Sequence, residues 1–175
     1  MAMALELRKN ISLIATVVII IIVGVGGYYL INLKQGPHAA ADFISVSSKW
    51  GVGDTLANSY NSATGDYQYL DNRDSLIKTK VKLRANNIIF IHSKVNEFGL
   101  WQLPDVIANK NADLKSDKVL RYEIVFNYEG KSKKIIYLTD YDEDQKIASA
   151  AEEIQNVIKK TIDEVEERYS APQNN

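Results

Sequence analysis

Hydrophobic and polar positions repeat along this chain with three different periods. From Ile11 to Leu33 (ISLIATVVIIIIVGVGGYYLINL) no charged side chain occurs in 23 residues. At about 1.5 Å per helical residue that run is about 34 Å long, enough to cross a hydrocarbon core of about 30 Å with some tilt. The pattern predicts a transmembrane helix over 11–33. The β-branched stretch Val17 to Val23 would disfavour a helix in water, but lipid offers the backbone no other hydrogen-bond partner, so the helix is still expected. Tyr28 and Tyr29 fit an interfacial aromatic belt at its far end.

Beyond a linker over 34–41, whose Gly36-Pro37 interrupts the helix, the period changes to two. Phe43 to Lys49 reads as a strand, Gly51 to Gly65 as a polar loop, and Asp66 to Leu70 and Ser75 to Arg84 as two strands around Asp71-Asn72-Arg73-Asp74. In the last of these Ile77, Thr79, Val81 and Leu83 alternate with Lys78, Lys80, Lys82 and Arg84, the mark of a half-buried strand. A helix is then predicted, capped by Asn86 or Asn87, with Ile88, Ile91, Val95 and Phe98 on one face. Gly99 ends it and Leu100 supplies the apolar contact past the glycine. Pro104 to Lys118 reads as a loop. Lys118 to Tyr128 and Ser132 to Thr139 form a hairpin about Glu129-Gly130-Lys131. A final amphipathic helix, from about Asp142 to Arg168 and capped by Thr139 or Asp140, carries Ile147, Ala151, Ile154, Val157 or Ile158, Thr161 and Val165 as its stripe.

The expected fold class is therefore α+β: one N-terminal transmembrane helix, then an antiparallel sheet in the order βββ-α-ββ-α with two helices packed on one face. The expected boundaries are a cytoplasmic N-terminus over 1–10, the span over 11–33, the linker over 34–41, the domain over 42–169 and a disordered tail over 170–175. Arg8 and Lys9 before the span against Lys34 after it keep the N-terminus in the cytoplasm. The domain would then be extracytoplasmic, held at the inner membrane by a single pass. Ala39-Ala40-Ala41 offers a possible signal-peptidase site, but the apolar run exceeds a usual signal core and Lys34 stands between, favouring an uncleaved anchor.

Composition narrows the chemistry. The 175 residues carry 21 basic and 22 acidic side chains, a balance that speaks against a partner bound through many phosphates, so no nucleic acid is expected. The chain contains no cysteine and two histidines, His38 and His92, which excludes thiol nucleophiles, thiolate metal sites and disulfides. Trp50-Gly51-Val52-Gly53 lacks the third glycine of a nucleotide fingerprint and reads as a turn. Asp140-Tyr141-Asp142-Glu143-Asp144 opens like a calcium loop, but Gln145 stands where glycine is required and Ala151 where the closing glutamate belongs. Acids at the start of the last helix suit its dipole instead. No catalytic residue, cofactor site or metal site is nominated, and the protein is expected not to be an enzyme. The span has no ionisable residue, hence no proton relay, which sets it apart from stator-type subunits that carry an aspartate in a single span.

Two sets of residues could meet partners. Ser12, Thr16, Gly24 and Gly27 form a stripe of small residues that would let another membrane helix approach. Lys78, Lys80, Lys82 and Arg84 form a basic row. Residues 42–139 carry 14 basic and 11 acidic side chains, net +3, and residues 140–175 four basic and ten acidic, net −6, so the domain should be dipolar. From Phe43 to Glu167, the succession GDYQYL, strand, helix ending in EFGLWQLP, hairpin and long final helix resembles small uncharacterised extracytoplasmic α+β domains of envelope lipoproteins in Gram-negative bacteria. The resemblance implies architecture and location, with a membrane helix here in place of a lipidated cysteine. The expected function is a non-catalytic, membrane-anchored accessory or interaction subunit of a bacterial envelope complex, in contact with membrane proteins and the bilayer. The alternative is a tethered binding module for a small ligand, anionic lipid or cell-wall polymer, using the 104–118 loop or the basic row.

Overall fold

The structure, a computed structural model, describes residues 2–35 and 38–170. They fall into two compact units, divided after Gln35. The first is helix α1 (Ala2–Gln35) of 34 residues, which takes in the predicted N-terminal segment and the first two residues of the predicted linker. Its large apolar side chains, from Ile11 through Ile19–Ile22 to Tyr28 and Tyr29, are exposed on every side of the helix. Among the described residues no helix is long and apolar enough to cross a membrane. The uninterrupted described side chains of α1 run over 13–29, 17 residues, or about 26 Å; the side chains of Ser12 and of 30–33 lie outside the described residues.

The second unit is built on strands β1 (Phe43–Gly51), β2 (Asn58–Asn61), β3 (Asp66–Leu70), β4 (Leu76–Lys80), β5 (Val106–Ile107), β6 (Arg121–Tyr128) and β7 (Lys131–Leu138), with helices α2 (Ala85–Glu97) and α3 (Gln145–Ser170). They form one sheet of seven strands in the order β4-β3-β2-β1-β6-β7-β5. The α+β class is as expected, but the expected order βββ-α-ββ-α becomes ββββ-α-βββ-α, and the sheet is mixed because β5 runs parallel to β7. Both added strands lie in segments expected as loops. β2, NSYN, offers one apolar side chain to a pattern search; its place comes from β1 and β3 on either side and from Tyr60, buried, whose hydroxyl donates to the Val81 carbonyl at 3.1 Å. β5 is two residues long, too short for any periodicity.

Helices α2 and α3 cover one face of the sheet. Ile91 and Val95 of α2 and Ala151, Ile154, Ile158, Ile162 and Val165 of α3 pack with Val46, Tyr67, Ile124, Phe126 and Ile135 in a single core. α3 lies over an aromatic row crossing the strands: Tyr137 and Tyr122 stack 6.4 Å apart, Tyr122 and Trp50 6.5 Å, and Trp50 and Tyr67 lie 6.2 Å apart. Tyr69 at the row's end donates to Glu166 at 3.3 Å.

Three local details differ from expectation. The carboxylate capping α3 is Asp144, whose Oδ1 accepts from the Lys146 and Ile147 amides at 2.8 and 3.2 Å; Thr139 and Asp140 belong to the turn leaving β7. α3 extends to Ser170, the first residue of the predicted tail, and 171–175 lie outside the described residues. α2 is entered at Arg84, and Asn87, inside the first turn, accepts the Arg84 amide proton at 3.1 Å. Its other end is as predicted: Gly99 adopts φ +76°, the left-handed cap a side chain would strain, and Leu100 behind it is fully buried.

Candidate interaction surfaces

The basic row takes shape from the alternation that predicted it. Lys78 and Lys80 on β4, then Lys82 and Arg84 leading into α2, are all exposed, while Val81 between them is buried. β4 is an edge strand, paired only with β3 among the strands. Lysines along a free edge hinder pairing with another chain's strand, which gives the row an adequate structural use. Lys80 is also engaged, its ammonium 2.6 Å from Asp66; that hydrogen bond holds the Asp66 carboxyl below the usual carboxylate range. The structure thus displays four cations along one edge, one of them tied to a carboxylate.

The 104–118 segment is an ordered strap rather than an open loop. Lys133 donates to the Leu103 carbonyl and to Asp105, both at 2.6 Å. Arg121, buried on β6, donates to the Leu114 carbonyl, and the Gly53 amide donates to the Ser116 carbonyl at 2.8 Å. The acidic run after β7 is likewise occupied with folding. The Asp142 amide donates to Asn109 Oδ1 at 3.1 Å, Asn109 Nδ2 donates to the Asp140 carbonyl at 2.9 Å, and Glu143 accepts from the Lys110 amide. With Asp144 capping α3, four of the residues that suggested a calcium loop have structural partners, Glu143 and Asp144 through their carboxylates and Asp140 and Asp142 through their backbone.

Within α1, Thr16 and Gly24 are exposed and Gly27 half-buried, and a methyl group added at Gly24 or Gly27 would meet nothing within 4 Å. The side chain of Ser12 lies outside the described residues.

Two further features were not singled out by sequence. A groove of about 340 Å³ runs between α2 and α3, lined by Phe90, Lys94, Phe98, Glu153, Val157 and Lys160 among others. Phe90 at its edge is 48% exposed and the adjacent Ile89 55%. The run Ile88-Ile89-Phe90-Ile91 reads as uniformly apolar, and only the helix's orientation shows which two of its members face solvent. The second feature is a buried polar cluster where the chain enters the sheet. His92, 6% exposed, and Asn96 are buried on α2. His92 Nδ1 lies 3.0 Å from the Tyr128 hydroxyl, and the His38 ring packs 4.6 Å from Trp101 and 5.2 Å from Tyr128, centroid to centroid. Burial lowers the His92 pKa, Asp42 acts to raise it and His38 to lower it further; burial pushes Tyr128 up to about 12. His92 follows Ile91 of the apolar stripe directly, one position off it, which suggests a partly exposed histidine where the structure buries one, and nothing in the pattern signals that His38, 54 positions earlier by the numbering, joins the same cluster.

No family model matches this chain, and a search of curated proteins found none significantly similar to it.

Proposed function

We propose that the chain is a single-pass membrane-anchored accessory subunit of an envelope protein complex, with Ile11–Leu33 as its span and the α+β unit as an extracytoplasmic interaction domain. One observation carries the proposal: α1 exposes apolar side chains on all sides from Ile11 to Tyr29, within a run of 23 residues lacking any charge. A helix that is apolar all round needs an apolar solvent or a protein core around it, and the bilayer supplies the first. The span has no group able to carry a proton or ion, so its work is holding and packing. The domain offers its partner the basic edge, the acidic surface of α3 and the groove between the helices. Resemblance to envelope lipoprotein domains favours the same location.

Purification of the full chain from membranes in mild detergent tests this. A stoichiometric partner retained through a high-salt wash is the expected result, and a monodisperse monomer without partner would count against it. The exposure of Lys78, Lys82 and Arg84 favours one second possibility, a domain that binds anionic lipid or wall polymer. Reversing the charge at Lys78, Lys80 and Lys82 should then abolish binding to anionic liposomes, and unchanged binding would dispose of it.

A further inference from the structure

The buried cluster around His92 is wired for one protonation state. Trp101 Nε1 donates to Asn96 Oδ1 at 3.1 Å. An indole N–H only donates, so this contact fixes which end of the Asn96 amide faces it and turns Nδ2 toward His92. There Nδ2 donates to the His92 carbonyl at 2.9 Å and lies 3.2 Å from Nε2 and 3.4 Å from Nδ1 of the ring. Nearly equidistant from both ring nitrogens, Nδ2 lies over the ring face, where its N–H meets the π-cloud of a neutral imidazole, while Nδ1 and the Tyr128 hydroxyl share one hydrogen bond at the ring's edge. A second ring proton makes the ring a cation, whose positive face repels the amide N–H lying over it, in a buried site where water does not screen the charge.

His38 lies on top of this network. Its ring packs on Trp101 and Tyr128, while its Nε2 is buried without a hydrogen-bond partner. Its ring rests on two residues that are joined to the His92 and Asn96 hydrogen bonds, Tyr128 through His92 and Trp101 through Asn96. The groups facing His92 are Asp42 from the turn before β1, Phe43 of β1, His38, Tyr128 of β6 and Asn96 of its own helix. Lys131 of β7 lies beyond, 4.9 Å over the Trp101 ring. Asp42 is the one anion among them, and its carboxylate already accepts the Ala39 amide proton at 3.3 Å.

We propose that this cluster is an acid-released latch: a proton gained by His92 breaks the Tyr128–His92–Asn96–Trp101 chain and frees residues 38–41 from the domain, up to Asp42, whose carbonyl stays on the Glu129 amide at 2.8 Å. The lowered His92 pKa places the event below the ordinary histidine range of about 6.5. Four residues set free, 38–41, add up to about 14 Å of reach at about 3.4 Å each. The latch uses contacts within the α+β unit only and holds whether or not α1 spans a membrane.

The test uses the full chain carrying Trp50→Phe, so that Trp101 is the sole indole. Its fluorescence is followed from pH 8 to pH 5, with far-UV circular dichroism alongside. The expected result is a change in Trp101 intensity of about twofold or more, centred below pH 6.5, with the dichroism unchanged. His92→Gln should remove the transition, and His38→Ala should show the acid-form signal at every pH. A flat Trp101 signal, the same transition in His92→Gln, or loss of dichroism in step with fluorescence would each overturn the proposal. Should either substitution prevent folding, hydrogen exchange on the unsubstituted protein decides. At pH 5.5 against 7.5, after correction for intrinsic rates, the Asp42 amide should lose about tenfold or more in protection while amides of β6 keep theirs; equal protection of Asp42 at both values overturns the latch.

Discussion

Replacing Ile158 by alanine tests the packing of α3 on the aromatic row. Ile158 is 2% exposed and lines, with Trp50, Tyr67 and Tyr122, a small cavity of about 10 Å³ beneath the helix. Three carbons leave the core, worth about 2.4 kcal/mol at about 0.8 per methylene. If half of the lost volume stays open, about 40 Å³ at about 24 cal/mol per Å³ adds about 1 kcal/mol. The surrounding rings are stacked on one another and cannot easily close the gap, so the total is about 3.5 kcal/mol. For a domain of this size the midpoint of thermal unfolding should drop by about 12 °C. Urea unfolding followed by fluorescence is the assay, since Trp50 borders the site. The midpoint should fall with the slope unchanged, and the exposed neighbour Lys160→Ala should change stability by less than about 0.5 kcal/mol. A loss below about 1 kcal/mol for Ile158→Ala would refute the placement of α3.

Three further outcomes are expected. Because burial lowers the His92 pKa, the unfolded chain binds a proton at higher pH than the native one; the corresponding stability is present above about pH 6.5 and is lost as pH falls through the folded value, so urea midpoints should fall from pH 7.5 to 5.5, and by less in His92→Gln. Gly99→Ala forces a side chain to φ +76° and sets its Cβ 3.2 Å from Gln102 Oε1, a loss of about 1–2 kcal/mol measurable in the same assay. Asp144→Ala removes the cap of α3 and should cost about 1 kcal/mol, whereas Thr139→Ala should leave the helix start intact; equal effects would return the cap to Thr139.

Sequence periodicity foretold the elements that bury a face of their own. β3 matches its expected bounds and the Lys78–Arg84 alternation survives residue by residue, because a period of two leaves one register that buries Val81. The αL end of α2 was legible because Gly99 is the residue that such a turn favours. β2 and β5 were not, since β2 owes its place to neighbours on either side and β5, two residues on the edge beside β7, is too short to carry a pattern. The α3 cap moved from Thr139 to Asp144 because the intervening acids are held by Asn109 and the Lys110 amide, long-range contacts that no local rule contains. The basic row could be named in advance because its alternation is local, running on past β4, which ends at Lys80 and not at Arg84 as expected, through Lys82 and Arg84. The His38–His92 cluster joins three stretches distant in sequence, 38–43, 92–101 and 128–131, and the Phe90 groove depends on how two helices settle together.

Topology relative to a membrane is the central claim, and the absence of cysteine makes a direct measurement of it simple. Single cysteines placed at Ser93, exposed on α2, and separately at Ala4 give each chain one thiol. In spheroplasts treated with a membrane-impermeant maleimide, the Ser93→Cys chain should be labelled at once and the Ala4→Cys chain only after lysis, both remaining with the membrane through an alkaline wash. Labelling in the opposite order, or either chain released by the wash, would contradict an anchored extracytoplasmic domain.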